Sequence, residues 1–337
     1  VIHVVGLPHT EAVRDPSWCA FTSQLLTFAE MVQAGGRDIT LYAGPTTDAD
    51  CELVTVVDDP PSNPIDFNPD ALHWQDMNRR VIDELYERAQ LGDIIALSAG
   101  RAQKQIADGR PELTAIEYAV GYAGPFANYR AYPSYAWMHA VMGAESGDAG
   151  KADGRFYDQV IPHAVQPQKL HAGGDYLLYV GRLEERKGLA VIRDIAQRTG
   201  RKVLVAGQGP AEVPEECEYL GVLGPDERTE VMGGAHALLA PSLYLEPFGL
   251  VAVEAMQVGT PVISTDWGAF PETVANRVSG FRCRTLHDFL EATEMDFDRA
   301  QVRAYGQRFT PQVIGPLYHE WLTRIETLNS DGWYTAT

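Results

Sequence analysis

The chain has 337 residues, 45% of them hydrophobic and 22% charged, with 31 Gly and 21 Pro spread along it; this profile excludes a disordered or fibrous chain and leaves material for two globular domains. Twenty-seven Lys and Arg face 46 Asp and Glu, a net charge of −19 that opposes non-specific adhesion to polyanions, so any bound phosphate needs a local cluster of cations. No apolar run reaches the roughly 20 residues that cross a bilayer, and Cys19, Cys51, Cys217 and Cys283 form no CxxC pair, so neither zinc nor a disulfide framework is signalled.

The opening "VIHVVGL" reads as a buried strand and lacks the basic region and cleavage site of a secretory signal, which sets the expectation of a cytoplasmic protein, or of the host cytoplasm for a viral one. "CAFTSQLLTFAEMVQAGG" follows as a helix stopped by glycines, "RDITLYAG" as a strand, and a variable loop then runs to about Asn68. "WQDMNRRVIDELYERAQ" is the next helix, "GDIIALSAG" the next strand, and "LTAIEYAVGYAG" a second apolar run. Two prolines and a Gly-Gly pair in "VIPHAVQPQKLHAGGD" mark the crossing between a first domain, 1–165, and a second, 166–309. Beyond it come strand "YLLYVGRL", helix "GLAVIRDIAQRTG", strands "KVLVAGQGP" and "EYLGVLG", helix "DERTEVMGGA", strand "HALLAPS", helix "GLVAVEAMQVG" and strand "PVISTDWG". "PQVIGPLYHEWLTRIETL" reads as an amphipathic helix, and 310–337 is expected to complete the first domain. Two separate strand-helix alternations predict an α/β protein of two Rossmann-like doubly wound domains facing each other across a cleft.

Parallel sheets bind ligands beyond the carboxyl ends of their strands, where helix N-termini point. "HALLAPS", "LYLEPF" and "GLVAVEAMQVG" form such a strand, loop and helix, and the amides of Phe248, Gly249 and Leu250 are donors placed to suit a phosphate. Glu254 lies five residues beyond Gly249, about 7.5 Å along the axis, roughly the reach from a diphosphate to its ribose. Apolar neighbours would bury this carboxylate, which then needs donors: two ribose hydroxyls, or an arginine in the core. In "YVGRLEERKGL", Arg182 and Lys187 follow a buried strand and can share the crevice, one gripping phosphate as a fork and the other as a point charge. Glu184, Glu185 and Arg186 between them read as a solvated face.

"YVGRLEERKG", "VLVAGQGP" and "APSLYLEPFGLVAVEAMQVGTPVISTDWGAFPE", in that order, resemble the GT-B retaining glycosyltransferases of the E-x7-E group, which includes glycogen synthases, sucrose synthases and mannosyltransferases. The resemblance covers roughly Tyr176 to Glu272. It implies metal-independent transfer of a hexose from a UDP- or GDP-sugar co-substrate to an acceptor hydroxyl with retention of configuration, with no other cofactor. It places Glu246 on the transferred sugar and Glu254 on the ribose, maps the amides of Phe248 to Leu250 onto sugar and phosphate, and gives Arg182 and Lys187 the departing diphosphate.

The first half carries only Gly6 in "GLPHT", where the family often has a glycine-rich turn, and Gly121 or Tyr122 where it often has a histidine. His9, whose loop is expected to open on the cleft, and His139 are the candidate catalytic histidines, and Gly6, His9, Tyr122 and His139 the candidate acceptor-side residues; His163 reads as structural. "CAFTSQLL" and "GYAGPFANYRAYPSYAWMHAVMG" resemble stretches of glycosyltransferase-like proteins of phage and environmental genomes, which raises a hydroxymethylated DNA base as a different acceptor, gripped by a basic rim of Arg79, Arg80, Arg101, Lys104 and Arg110. A sugar-nucleotide epimerase would share the two-domain architecture and bind the donor in the cleft without a separate acceptor, and a nucleotide-sugar sensor would bind it without turnover. A dehydrogenase is disfavoured because "AGQGPAEV" has no third glycine. "DAD" at Asp48 to Asp50 reads as a turn rather than a metal site.

Overall fold

The computed structural model describes residues 1–9, 11–13, 19–60, 67–152, 154–155, 157–209 and 211–331. The chain divides into two compact units, one built from Val1–His163 with the C-terminal helix and the other from Ala164–Thr310. Residues 332–337 of the expected C-terminal completion lie outside the described residues.

The first unit runs β1 (Ile2–Val5), α1 (Ala20–Ala34), β2 (Ile39–Ala43), β3 (Glu52–Thr55), α2 (Leu72–Arg88), β4 (Ile94–Leu97), α3 (Lys104–Gly109), β5 (Thr114–Glu117), β6 (Tyr129–Tyr132), α4 (Tyr135–Ser146) and β7 (Gln159–Val160). Its seven strands pair in the order β3-β2-β1-β4-β5-β6-β7, all parallel. Strands β1, β2 and β4 are buried along their whole length, as a parallel sheet covered on both faces requires. The stretch expected as loop up to Asn68 contains β3, which buries only Val54; an edge strand has one neighbour to cover and needs no continuous apolar run.

The apolar run "LTAIEYAVGYAG" is also shorter as a strand than its composition suggests. The strand in it ends at Glu117, whose fully buried carboxylate accepts hydrogen bonds from Tyr122 Oη (3.0 Å) and from the amides of Phe126 (2.6 Å) and Ala127 (2.7 Å). A carboxylate without water needs such donors, and collecting them curls residues 118–127 back onto the strand end.

The C-terminal helix α11 (Pro311–Asp331) docks on α1. Phe28 of α1 stacks on Tyr118 at 3.8 Å between centroids and meets the edge of Tyr318 at 5.1 Å. Arg37, just past α1, forks onto Glu326 (2.9 and 2.8 Å), and the indole of Trp321 donates to the carbonyl of Tyr157 at 3.0 Å.

The second unit runs β8 (Leu177–Val180), α5 (Leu189–Thr199), β9 (Val203–Ala206), β10 (Glu218–Gly221), α6 (Pro225–Gly233), β11 (Ala237–Ala240), α7 (Leu250–Gln257), β12 (Val262–Thr265), α8 (Phe270–Thr273), β13 (Gly280–Cys283), α9 (Leu286–Ala292) and α10 (Arg299–Gly306). Its parallel order is β10-β9-β8-β11-β12-β13. Alternate residues serve opposite faces: Leu178, Leu204 and Leu238 join the core under α7, while Leu177, Val203 and Leu239 join the core under α5 and α9. In each unit the first and fourth strands lie side by side, the Rossmann arrangement, and the chain leaves them in opposite directions, opening a crevice beyond their carboxyl ends. Among the described residues no helix is long and apolar enough to cross a membrane.

Trp321 is 1% exposed. Trp321→Ala is expected to cost about 3–5 kcal/mol through the cavity left between α11 and its unit, read in denaturant unfolding as loss of the first unit ahead of the second.

Candidate active site

Strands β8 and β11 are the neighbours at the switch point of the second unit, and the loops that leave them meet. The amide of Leu243 donates to the carbonyl of Arg186 at 2.8 Å, tying the two loops together. Lys187 closes a single 3-10 turn, Glu185–Lys187, and Gly188, in the left-handed conformation, starts α5. Lys187 Nζ donates to Glu246 Oε2 at 2.9 Å; Ser242 Oγ reaches the same oxygen at 2.8 Å, and Tyr244 Oη donates to Oε1 at 2.9 Å. Glu246 is 8% exposed, and three donors satisfy its carboxylate. The Lys187 ammonium and the Arg186 guanidinium lie 4.9 and 4.7 Å from the centroid of the Tyr244 ring, within cation–π range. Burial, with Glu246 beside it, pushes the Tyr244 phenol up, which keeps it a donor.

Arg182 does not touch Glu246. Its guanidinium pairs with Glu184 Oε1 at 2.8 Å, most of its side chain is exposed, and its carbonyl accepts from Tyr179 Oη at 2.6 Å. The expected solvated face is corrected at Glu184: this half-buried side chain bridges Arg182 and Arg186 and holds two cations at the crevice edge, while Glu185 and Arg186 are exposed.

Helix α7 begins where Gly249 takes φ +84°, and a Cβ there would stand 2.8 Å from Phe270 Cε1. Only glycine combines that conformation with that approach. The amides of Gly249 and Leu250 make no backbone hydrogen bond among the described residues. Gly268, at φ +61°, would place a Cβ 2.7 Å from the amide nitrogen of Glu246, whose carbonyl accepts from Ala269 at 3.0 Å, so the segment after β12 fixes the backbone that carries Glu246. Glu254 lies on α7 as expected but is not sealed off: its side chain is 28% exposed and its Oε1 sits 3.4 Å from Arg228 Nη2 of α6. Its carboxyl is pushed up by burial and drawn down by Arg228.

The structure thus brings Lys187 and Glu246 into contact and leaves Arg182 and Glu254 on separate partners. Sequence reasoning missed Ser242, Tyr244 and Arg228. The first two sit four and two residues before Glu246 in "SLYLE", each with a hydroxyl able to reach a buried carboxylate; Arg228 is hidden among the acids of "DERTE".

In the first unit, Gly6 follows β1 and its carbonyl accepts from Gln103 Nε2 at 2.9 Å. His9, expected on an open loop, is instead 3% exposed, with Nε2 3.4 Å from Cys19 Sγ and its ring edge-on to Phe67. Phe67 touches Phe21 and Phe21 touches Tyr122, so one aromatic cluster links His9 to Tyr122. Tyr122 spends its hydroxyl on Glu117, and His139 is exposed on α4 beside Tyr135. The basic rim is largely neutralised: Arg80 forks onto Asp58, Arg79 pairs with Asp76, Lys104 with Asp108 and Arg110 with Glu112. Arg79 and Arg101 line a hollow together with Asp70, Asp76 and Asp108.

Residues 163–288 match the family model of the glycosyl transferases group 1. That segment holds Arg182, Lys187, Glu246 and Glu254. Glycosyltransferases are enzymes, and the relatives bear such names. An uncharacterized glycosyltransferase of Methanocaldococcus jannaschii is 34% identical over 119 residues, 31% of this chain and 30% of that protein. Glycogen synthase of Mycobacterium tuberculosis is 35% identical over 123 residues, 32% and 30% of the two chains. The chain spans less than half the length of these curated relatives. Solved structures agree over far more of it: a glycosyltransferase involved in avilamycin A biosynthesis superposes with a TM-score of 0.70 at 20% identity, covering 97% of this chain and 98% of that one. Anabaena HepE, crystallised with UDP and glucose, gives 0.67 at 16% identity over 96% and 99%. At such identities the likeness shows the fold, which is GT-B: two parallel-sheet Rossmann-like units.

Burial lowers His9 from 6.5 to about 4 and His163 from 6.5 to about 3. The unfolded chain therefore takes up these protons at a higher pH than the folded one, so stability is full above about 6.5 and falls as pH drops through that value toward the folded ones. Denaturant unfolding should show this decline, and His9→Gln should flatten its upper part.

Proposed function

We propose that this protein transfers a hexose from a nucleoside diphosphate donor, a UDP- or GDP-sugar, to an acceptor hydroxyl with retention of configuration and without a metal ion. The observation that carries the reading is the Lys187–Glu246 pair at the switch point of the second unit, beside the first amides of α7 and with Glu254 farther along that helix. In this reading the amides of Phe248, Gly249 and Leu250 meet the sugar and phosphates at the positive end of α7. Lys187 and Arg182 face the diphosphate, Glu254 accepts from the ribose, and Glu246 positions the transferred sugar.

The chemistry asks chiefly for charge stabilisation. As the glycosidic bond breaks, negative charge gathers on the leaving diphosphate, and a cation fixed in a partly desolvated crevice stabilises it without reorganising. Lys187 is held there in advance by Glu246 and the Tyr244 ring. A phosphate oxygen of the leaving group, on the same face as the departing bond, takes the proton of the incoming hydroxyl, so no protein nucleophile is required. The candidate acceptor-side residues are Gly6, His9, Tyr122 and His139; His9, neutral at physiological pH, would serve by hydrogen bonding.

Release of nucleoside diphosphate from a panel of UDP- and GDP-sugars, with and without simple saccharide acceptors, tests the reading. Lys187→Met should lower kcat by about 100-fold or more, the scale of losing one preorganised charge donor, and should also lower the thermal unfolding temperature, because Ser242 and Tyr244 still hold Glu246 but its cation is gone; turnover is therefore read well below that transition. Turnover close to wild type in that variant would refute the assignment.

A further inference from the structure

We propose that Arg228 is a positioning residue for Glu254, holding that carboxylate as the acceptor for the hydroxyls of a ribonucleotide; the inference rests on the donor-site reading above. The two side chains project from α6 and α7, and Arg228 Nη2 lies 3.4 Å from Glu254 Oε1. At 23% and 28% exposure the pair is half sheltered, neither a solvated surface bridge nor a sealed core pair. The guanidinium reaches Oε1 alone, and Oε2 takes no hydrogen bond among the described residues. A fork donor used at one tine leaves the carboxylate anchored yet able to accept from a diol.

Among the described residues, the elements packed around Glu254 offer it no substitute cation. Helix α7 has no second charged residue, and neither β11 nor β12 carries one. On α6, Asp226, Glu227 and Glu230 are the other charged side chains, and Glu230 lies 3.8 Å from His171. On α10, Arg299 is taken up by the carbonyls of His171, Ala235 and Gly233, and Arg303 by that of Gln168; Arg308, beyond it, covers the Tyr305 ring. Burial pushes the Glu254 carboxyl up and Arg228 opposes it. Without Arg228 the group would take up a proton at a higher pH and exchange an acceptor for a donor, so ribose recognition would weaken as the solution is acidified.

Calorimetric titration of the whole chain with UDP, GDP and ADP selects the nucleotide that binds most tightly, and its 2′,3′-dideoxy counterpart isolates the ribose contact. Both are measured on wild type, Arg228→Met, Arg228→Lys and Glu254→Gln at about pH 8 and about pH 5.5, the lower value chosen to approach the carboxyl range. Wild type should prefer the ribonucleotide by about tenfold or more, the scale of hydrogen bonds to a charged group. Glu254→Gln should lose most of that preference at both pH values. Arg228→Met should lose part of it at the higher pH and most of it at the lower one, and Arg228→Lys should restore the wild-type pH profile. Unchanged dideoxynucleotide affinity shows that the variants are folded. If Arg228→Met keeps the full preference at both pH values while Glu254→Gln loses it, the role of Arg228 is overturned and the donor-site reading stands. If Glu254→Gln also keeps it, or no nucleoside diphosphate binds wild type, that reading fails and this inference falls with it.

Discussion

A carboxylate withdrawn from water at Glu246 is the constraint around which the second unit's crevice is arranged. Removing such a group from solvent costs several kcal/mol unless donors replace the lost water. Here they are the Lys187 ammonium, the Ser242 hydroxyl and the Tyr244 phenol. Lys187 leaves one strand and the other two leave another; these strands become neighbours only because the order reverses between β8 and β11. Sheet topology thus creates the site, and the ion pair keeps a cation waiting where an anion would arrive.

The first unit solves the same problem differently. Glu117 is buried at the end of β5 and is satisfied by a phenol and two backbone amides, with no cation in direct contact among the described residues. That arrangement folds the following loop and spends the Tyr122 hydroxyl in doing so. The two units share the order of six strands, yet among the described residues Glu246 has a lysine on its carboxylate and Glu117 does not. Backbone approach matters as much as charge in that unit: Gly249 and Gly268 sit where a methyl group would collide with Phe270 or with the backbone of Glu246.

The alternation of strands and helices was legible because parallel strands covered on both faces are mainly apolar, as β4, β9 and β11 are throughout. Edge strand β3 was not, since it covers little and reads as loop. The chemical residues of the second unit were legible as types in a spaced pattern, Arg182, Lys187, Glu246 and Glu254. Their pairings were not: nothing local to "RLEERKG" says that Glu184 takes Arg182 while Glu246 takes Lys187, because those contacts depend on side-chain reach across loops. The loop bearing His9 was expected to be open because strand-end loops in this fold class usually are. Packing against Cys19 and Phe67 decided otherwise, and such packing leaves no periodic trace.

The central claim is that the crevice beyond β8 and β11 holds a diphosphate, and a crystal structure of the whole protein with a bound nucleoside diphosphate tests it most directly. The account predicts phosphate oxygens at the amides of Gly249 and Leu250, with Lys187 Nζ in contact with one of them and the ribose at Glu254. A nucleotide lodged elsewhere, with Lys187 still wholly engaged by Glu246, would contradict it.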